Sequence, residues 1–205
     1  MMKAIRKVVS TAAVGLACLA ITACASTVEY KPEYVSAGLA APIVDGKAVI
    51  VMDKTEQEQS ITSNPTSFTG GGTTLTAPVG EIIRETGLKV FGAGFSDGAE
   101  VSETAKPGAY DVALTLNGFS YKYDQLSSLG FEVRPKVTVG LEVDAVAPDG
   151  QRLFTRKYER NDYLVAGYVF SGNPGERINQ ALHMAVAEIF REILDDVAEA
   201  KAQAS

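Results

Sequence analysis

Apolar and polar positions alternate most regularly between Phe131 and Ala147. Phe131, Val133, Val137, Val139, Leu141, Val143 and Ala145 share one parity, and Glu132, Arg134, Lys136, Thr138, Glu142 and Asp144 the other. A period of two sends successive side chains to opposite faces, so the segment predicts a strand with one face in the core and one in water. Pro135 removes a ladder donor and predicts an edge or a strand start there. Tyr110 to about Tyr123 alternates in the same way. Asn117-Gly118 in its middle fits a two-residue hairpin turn, but Phe119, Tyr121 and Tyr123 continue the pattern, so one long strand with a bulge is expected. Pro148-Asp149-Gly150 predicts a tight turn and Gln151 to Arg160 a return strand. Lys47 to Met52 is β-branched and apolar on both parities, the pattern of a strand buried on both faces.

Two stretches switch to a helical period. Asn173 predicts an N-cap, with Pro174 in the first turn and Glu176 three residues beyond the cap. Ile178, Leu182, Ala185, Ile189, Ile193 and Val197 then form a stripe, widened by Ala181, Phe190 and Leu194. Asp195, Asp196 and Glu199 crowd its C-terminal end against the macrodipole, predicting a solvated face that frays near Ala200. A shorter helix is predicted from Pro78 to about Gly92, capped by Thr76, although Gly80 and Gly87 each weaken it by up to about 1 kcal/mol relative to alanine. The order β-α-β-β-β-α predicts an α+β two-layer sandwich, a mostly antiparallel four-stranded sheet with two helices over one face.

Between these elements the pattern breaks down. Asp53 to Thr76 is polar and includes Gly70-Gly71-Gly72, predicting a long loop. Residues 25–46 show no sustained period and predict a tether interrupted by Pro32, Gly38, Pro42 and Gly46, with a flexible reach of roughly 25 Å. Tyr163 to Gly172 is an aromatic, glycine-containing loop. Tyr121, Tyr123, Phe131, Tyr163, Tyr168 and Phe170 crowd toward two loops, where they form either a binding patch or core filling. The candidate partner-binding residues are therefore Tyr163, Tyr168 and Phe170, with Gly71 and Gly72, whose small size lets another backbone approach.

The N-terminus has a different design. Lys3, Arg6 and Lys7 precede a short apolar run from Val8 to Ala20, followed by Ile21-Thr22-Ala23-Cys24. A basic head, a short apolar middle and small residues at a cleavage point make a secretory signal, and the run is short of the roughly 20 apolar residues of a membrane span. The four residues resemble the lipobox of bacterial lipoproteins, with Cys24 in the lipidated position. The resemblance implies a signal peptide over 1–23, a diacylglycerol on the Cys24 thiol, an acylated amine and a mature chain beginning at Cys24. Ala25 and Ser26, rather than an aspartate, follow the cysteine, which in that family implies export to the outer membrane. Residues 24–46 would then be the lipidated N-terminus and tether, and 47–205 a periplasmic domain.

Removing the signal takes three positive charges, so the formal charge of −6 becomes −9 over 182 residues. That excludes a nucleic-acid binder, which needs clustered cations, and leaves lipid as the only evident membrane grip. Cys18 and Cys24 are the only cysteines, so the mature domain has no disulfide framework.

Little else points to chemistry. Gly94-Phe95-Ser96-Asp97-Gly98 matches a serine-hydrolase elbow in spelling, but the elbow requires strand, turn, then helix, and here a helix comes first. His183, the single histidine, is the only base available to Ser96 and sits beside a helical apolar stripe. Gly70-Gly71-Gly72-Thr73-Thr74 lacks the lysine of a phosphate loop. No cofactor and no metal are expected. The order of elements is similar to that of YajG-type lipoproteins and, more loosely, of auxiliary lipoproteins of envelope transport and lipopolysaccharide assembly. The resemblance implies a non-enzymatic, lipid-anchored protein that binds or scaffolds an unidentified envelope partner. A regulator of peptidoglycan synthesis is the alternative, and a hydrolase using Ser96 a lesser one.

Overall fold

The structure, a computed structural model, describes residues 24–67, 73–125, 133–165 and 174–204. The signal segment 1–23, the cap at Asn173, and Gly71, Gly72, Phe131, Tyr168 and Phe170 lie outside the described residues. Among the described residues eight strands and three α-helices follow in order: β1 Cys24–Thr27, β2 Ala48–Val51, α1 Lys54–Gln57, β3 Ile61–Ser63, β4 Thr73–Ala77, α2 Val79–Gly94, β5 Ala99–Ser102, β6 Tyr110–Gln125, β7 Val133–Val146, β8 Arg152–Tyr163 and α3 Pro174–Ala204.

The main sheet is five-stranded, in the order β5-β2-β6-β7-β8. It is an α+β sheet as expected, but mixed rather than mostly antiparallel: β2 runs parallel to both β5 and β6, and only β6-β7-β8 forms an antiparallel meander. The parallel pairing follows from connectivity, because α2 carries the chain from β2 back to the end where β5 must start. The fifth strand, β5, is Ala99-Glu100-Val101-Ser102, whose alternation is only four residues long, and it is completed as a strand by pairing with β2. A second sheet, β1-β4-β3, lies across the far half of β6. Tyr121 donates its hydroxyl to the Ser63 carbonyl at 3.2 Å, and the Thr66 amide donates to the Tyr121 carbonyl at 2.8 Å.

α2 and α3 pack on one face of the main sheet and on each other. The apolar parity of β7 (Val137, Val139, Leu141, Val143) and the whole α3 stripe are fully buried. β6 is one strand, with its register shifting between Leu116 and Phe119 and Gly118 at φ +115°, a conformation that glycine adopts without strain. The opposite sheet face is solvated and tied by ion pairs such as Lys157–Glu142 and Arg152–Asp144.

Gly80 and Gly87, which weaken α2 on propensity, are required by packing. A Cβ on Gly87 would stand 2.7 Å from the Ile50 Cδ1 and from the Phe190 ring, and one on Gly80 would overlap the Glu56 carbonyl. The glycines let α2 lie directly on β2, α3 and α1. The expected Thr76 cap is absent because Thr76 belongs to β4, and α2 starts at Pro78 without a side-chain cap.

Two further expectations are corrected. The described parts of the polar stretch from Asp53 to Thr76, residues 53–67 and 73–76, are organised: Asp53 and Glu56 form a reciprocal capping box on α1, and β3 pairs with β4. Residues 24–46 are packed against the domain. β1 pairs with β4 in parallel, and Val28, Val35 and Val44 join the core. These apolar residues follow no period because the segment crosses several elements instead of repeating along one.

Candidate functional site

Cys24 is the first residue of β1 and stands in register with Thr73. Past β1, the chain crosses the early turns of α3 as a strap. At its centre is His183, which is fully buried. Its Nε2 accepts from the Lys31 backbone N–H at 2.9 Å, so that nitrogen is unprotonated. Nδ1 therefore carries the hydrogen and donates to the Asn179 carbonyl at 2.8 Å. Tyr30 and Tyr34 flank the imidazole, with ring centroids 5.4 and 6.0 Å away. Glu176 receives the Lys31 ammonium at 2.7 Å and the Tyr34 hydroxyl, and together they hold its carboxyl below the usual range. Lys89 of α2 donates to the Pro32 carbonyl at 2.7 Å. The strap is thus fastened to both long helices.

Burial pushes His183 below the usual imidazole value of 6.5, and the nearby Lys31 ammonium acts in the same direction. The Asn179 carbonyl and the carboxylates of Glu33 and Glu176 oppose it. Because the folded chain holds the neutral form, the unfolded chain binds this proton first as pH falls. The stability contributed by neutral His183 is therefore complete above 6.5 and is lost as pH drops through the lowered folded value. Urea midpoints taken from about pH 7.5 to about pH 5 should fall across this window, and His183→Gln should remove that component.

A second polar seam joins α3 to β8. Glu188, Glu192 and Asp196 recur every fourth residue and meet Arg160, Arg156, Tyr158 and Tyr163. Asp196, expected on a solvated helix end, instead bonds Arg156 at 2.7 Å and the Tyr158 hydroxyl at 2.5 Å. Tyr163 donates to Glu188 at 2.7 Å, and burial together with that carboxylate pushes its hydroxyl up to about 12. Tyr163 stays half-buried at the end of β8. Tyr121 and Tyr123 belong to the core, edge to face at 5.7 Å, so of the two open readings of those rings core filling is the one observed.

The structure does not bring Ser96 and His183 together. Ser96 Oγ accepts from the Gly46 amide at 2.9 Å and faces Asp97, in the turn after α2, while both His183 nitrogens are committed elsewhere. Among the described residues no three His, Cys, Asp or Glu side chains converge as a metal site, and no helix is long and apolar enough to cross a membrane. A shallow groove of about 270 Å³ lies at the end remote from Cys24, between Tyr110, the Pro148-Asp149 turn, Leu153 and Lys201.

The fold resembles that of a Xanthomonas campestris protein of the DUF330 family. The two align over 87% of this chain and 97% of that one, with a TM-score of 0.52 and 14% identity. At that identity the likeness is one of fold alone. A minor lipoprotein from Acinetobacter baumannii aligns over 76% of this chain and 94% of its own, at 8% identity and a TM-score of 0.36. No family model and no curated protein matches the sequence.

The strap residues were not legible beforehand. Lys31 and His183 lie 152 positions apart, and nothing in the pattern at either position signals the other. A lone histidine on the flank of an apolar stripe was the only available sign.

Proposed function

We propose that this chain is a lipid-anchored envelope protein, held to the outer membrane through acyl chains on Cys24 and facing the periplasm. Its domain binds or scaffolds an envelope protein in assembly, transport or maintenance, without catalysing a reaction. One observation carries the reading: the Ile21-Thr22-Ala23-Cys24 motif ends at the residue where β1 begins. Cleavage before Cys24 would leave the folded domain whole. The fold shared with the DUF330 protein supports it as a self-contained domain, and the committed hydrogen bonds of His183 weigh against a Ser96 nucleophile. A peptidoglycan-synthesis regulator would use a long spacer to reach through the wall, and the packing of residues 24–46 favours the first reading.

The test is mass spectrometry of the N-terminal peptide from the native envelope. The expected peptide begins at Cys24 and carries a diacylglyceryl group and an amide-linked acyl chain. An N-terminus elsewhere, or an unmodified Cys24, would sink the reading.

A further inference from the structure

We infer that the strap over α3 is a proton-operated lid: it is closed while His183 is neutral and lifts from the helix when the imidazole takes up a proton, with the rest of the domain still folded. The inference concerns the folded domain alone and holds whatever Cys24 carries.

The strap is fixed at both ends and held lightly between them. At one end Val28 is buried and donates its amide to the Thr76 carbonyl at 2.8 Å. At the other, the Ile43 and Val44 amides donate to the Gly94 carbonyl at 2.9 and 3.1 Å. Of residues 29–42 between them, only Val35 is buried. Their polar fastenings to the helices are the Lys31 amide on His183, the Lys31 ammonium and Tyr34 hydroxyl on Glu176, and the Lys89 ammonium on the Pro32 carbonyl. The Lys31 and Glu176 side chains are 32% and 38% exposed, and an ion pair so open to water holds weakly. The bond to His183 is the fastening made by a fully buried side chain.

Protonation removes that bond by geometry. The Lys31 N–H points at the Nε2 lone pair from 2.9 Å. Nδ1 already carries a hydrogen, held on the Asn179 carbonyl of the same helix. A second proton can therefore go only to Nε2, where it would face the Lys31 N–H donor to donor. The amide belongs to the strap's backbone, and the ring is held by Asn179 and flanked by Tyr30 and Tyr34, so neither donor can turn away while the strap is down.

The charged groups facing the ring among the described residues are Lys31 and Glu33 of the strap and Glu176 of α3, with the phenols of Tyr30 and Tyr34. From α2, Glu85 acts on Tyr30 and Lys89 on the Pro32 carbonyl. The carboxylates favour an imidazolium and the Lys31 ammonium opposes it, but neither ring nitrogen donates to a carboxylate. Lys31 and Tyr34 hold the Glu176 carboxyl below its usual range, so it stays ionised while His183 titrates. Lifting the strap gives Nε2 to water, where the imidazolium is hydrated. While the closed ring stays neutral, each unit of pH below 6.5 raises the open fraction about tenfold. Opening withdraws Tyr30, Tyr34 and Val35 from the helices and bares the early turns of α3, a surface the domain hides at neutral pH.

The test is hydrogen exchange of the full processed protein in detergent micelles from about pH 7.5 to about pH 5, read by mass spectrometry and corrected for the exchange rate of an unstructured chain at each pH. The expected result is that protection of residues 29–42 falls on the order of thirtyfold across this range while that of β7 and α3 holds. His183→Gln keeps an acceptor for the Lys31 amide but binds no proton, so its strap protection should not change with pH. Glu176→Gln, at a half-exposed position, should lower strap protection at every pH and keep the thirtyfold ratio. Strap protection independent of pH in the unaltered protein, or lost together with that of β7, would overturn the lid. So would a pH ratio that survives in His183→Gln, or one that vanishes in Glu176→Gln, since the proton would then act elsewhere.

Discussion

Cys24→Ser is expected to abolish palmitate incorporation and to leave uncleaved precursor in the inner membrane. Serine keeps the size of the side chain but supplies no thiolate to receive the diacylglyceryl group. The change should not disturb β1, whose pairing with β4 uses backbone groups. The lipid anchor would be lost outright, because the two or more acyl chains that stable attachment needs are never added, and the precursor would be held only by its uncleaved signal segment. The acidic chain offers no compensating grip. Metabolic labelling and membrane fractionation measure both parts. Normal cleavage of the variant, whether it then fractionates with the outer membrane or is released, would refute the lipoprotein reading.

Phe190→Ala should be among the most destabilising single changes. The side chain is fully buried, meets Phe91 edge to face at 5.1 Å, and fills the space that Gly87 leaves on α2. Truncating a buried phenylalanine costs about 3–5 kcal/mol, against a total stability of order 5–15 kcal/mol for a domain of this kind. The urea midpoint should fall accordingly. Gly87→Ala alone should also destabilise, because overpacking of about 1–3 kcal/mol exceeds the helix-propensity gain of up to about 1 kcal/mol. With Phe190 truncated, the new methyl gains room on the side that ring occupied. The double variant should therefore lose less than the sum of the two single changes, by about 0.5 kcal/mol or more. Strict additivity would mean that the two helices do not meet at this point.

The elements that could be read in advance were those whose pattern repeats. β7 and the α3 stripe are periodic over many residues because each keeps one face against one neighbour. β6 was legible through its bulge because the aromatic positions resumed beyond Gly118. Residues 24–46 and 53–76 were not legible as packed structure. Val28, Val35 and Val44 serve different neighbours, and β3 and β4 are short strands whose polar residues hydrogen-bond across the pair, as Thr62 does with Thr76. The glycines of α2 were legible as weaknesses, since propensity is local and the atoms that exclude a Cβ belong to Ile50, Glu56 and Phe190. Of the candidate site, Cys24 was legible from a contiguous motif, and the strap on His183 was not.

By itself the sequence determined the antiparallel meander, the two long helices and the motif at Ile21–Cys24, because each rests on neighbours within a few positions of one another. Only the tertiary structure decided that β2 pairs in parallel on both sides and that β1 closes onto β4. It also decided that His183 holds Lys31 and that Cys24 stands in register with Thr73. Those are choices of partner between segments far apart in the chain. They depend on which surfaces the helices leave open once they have packed, and that is a property of the folded whole.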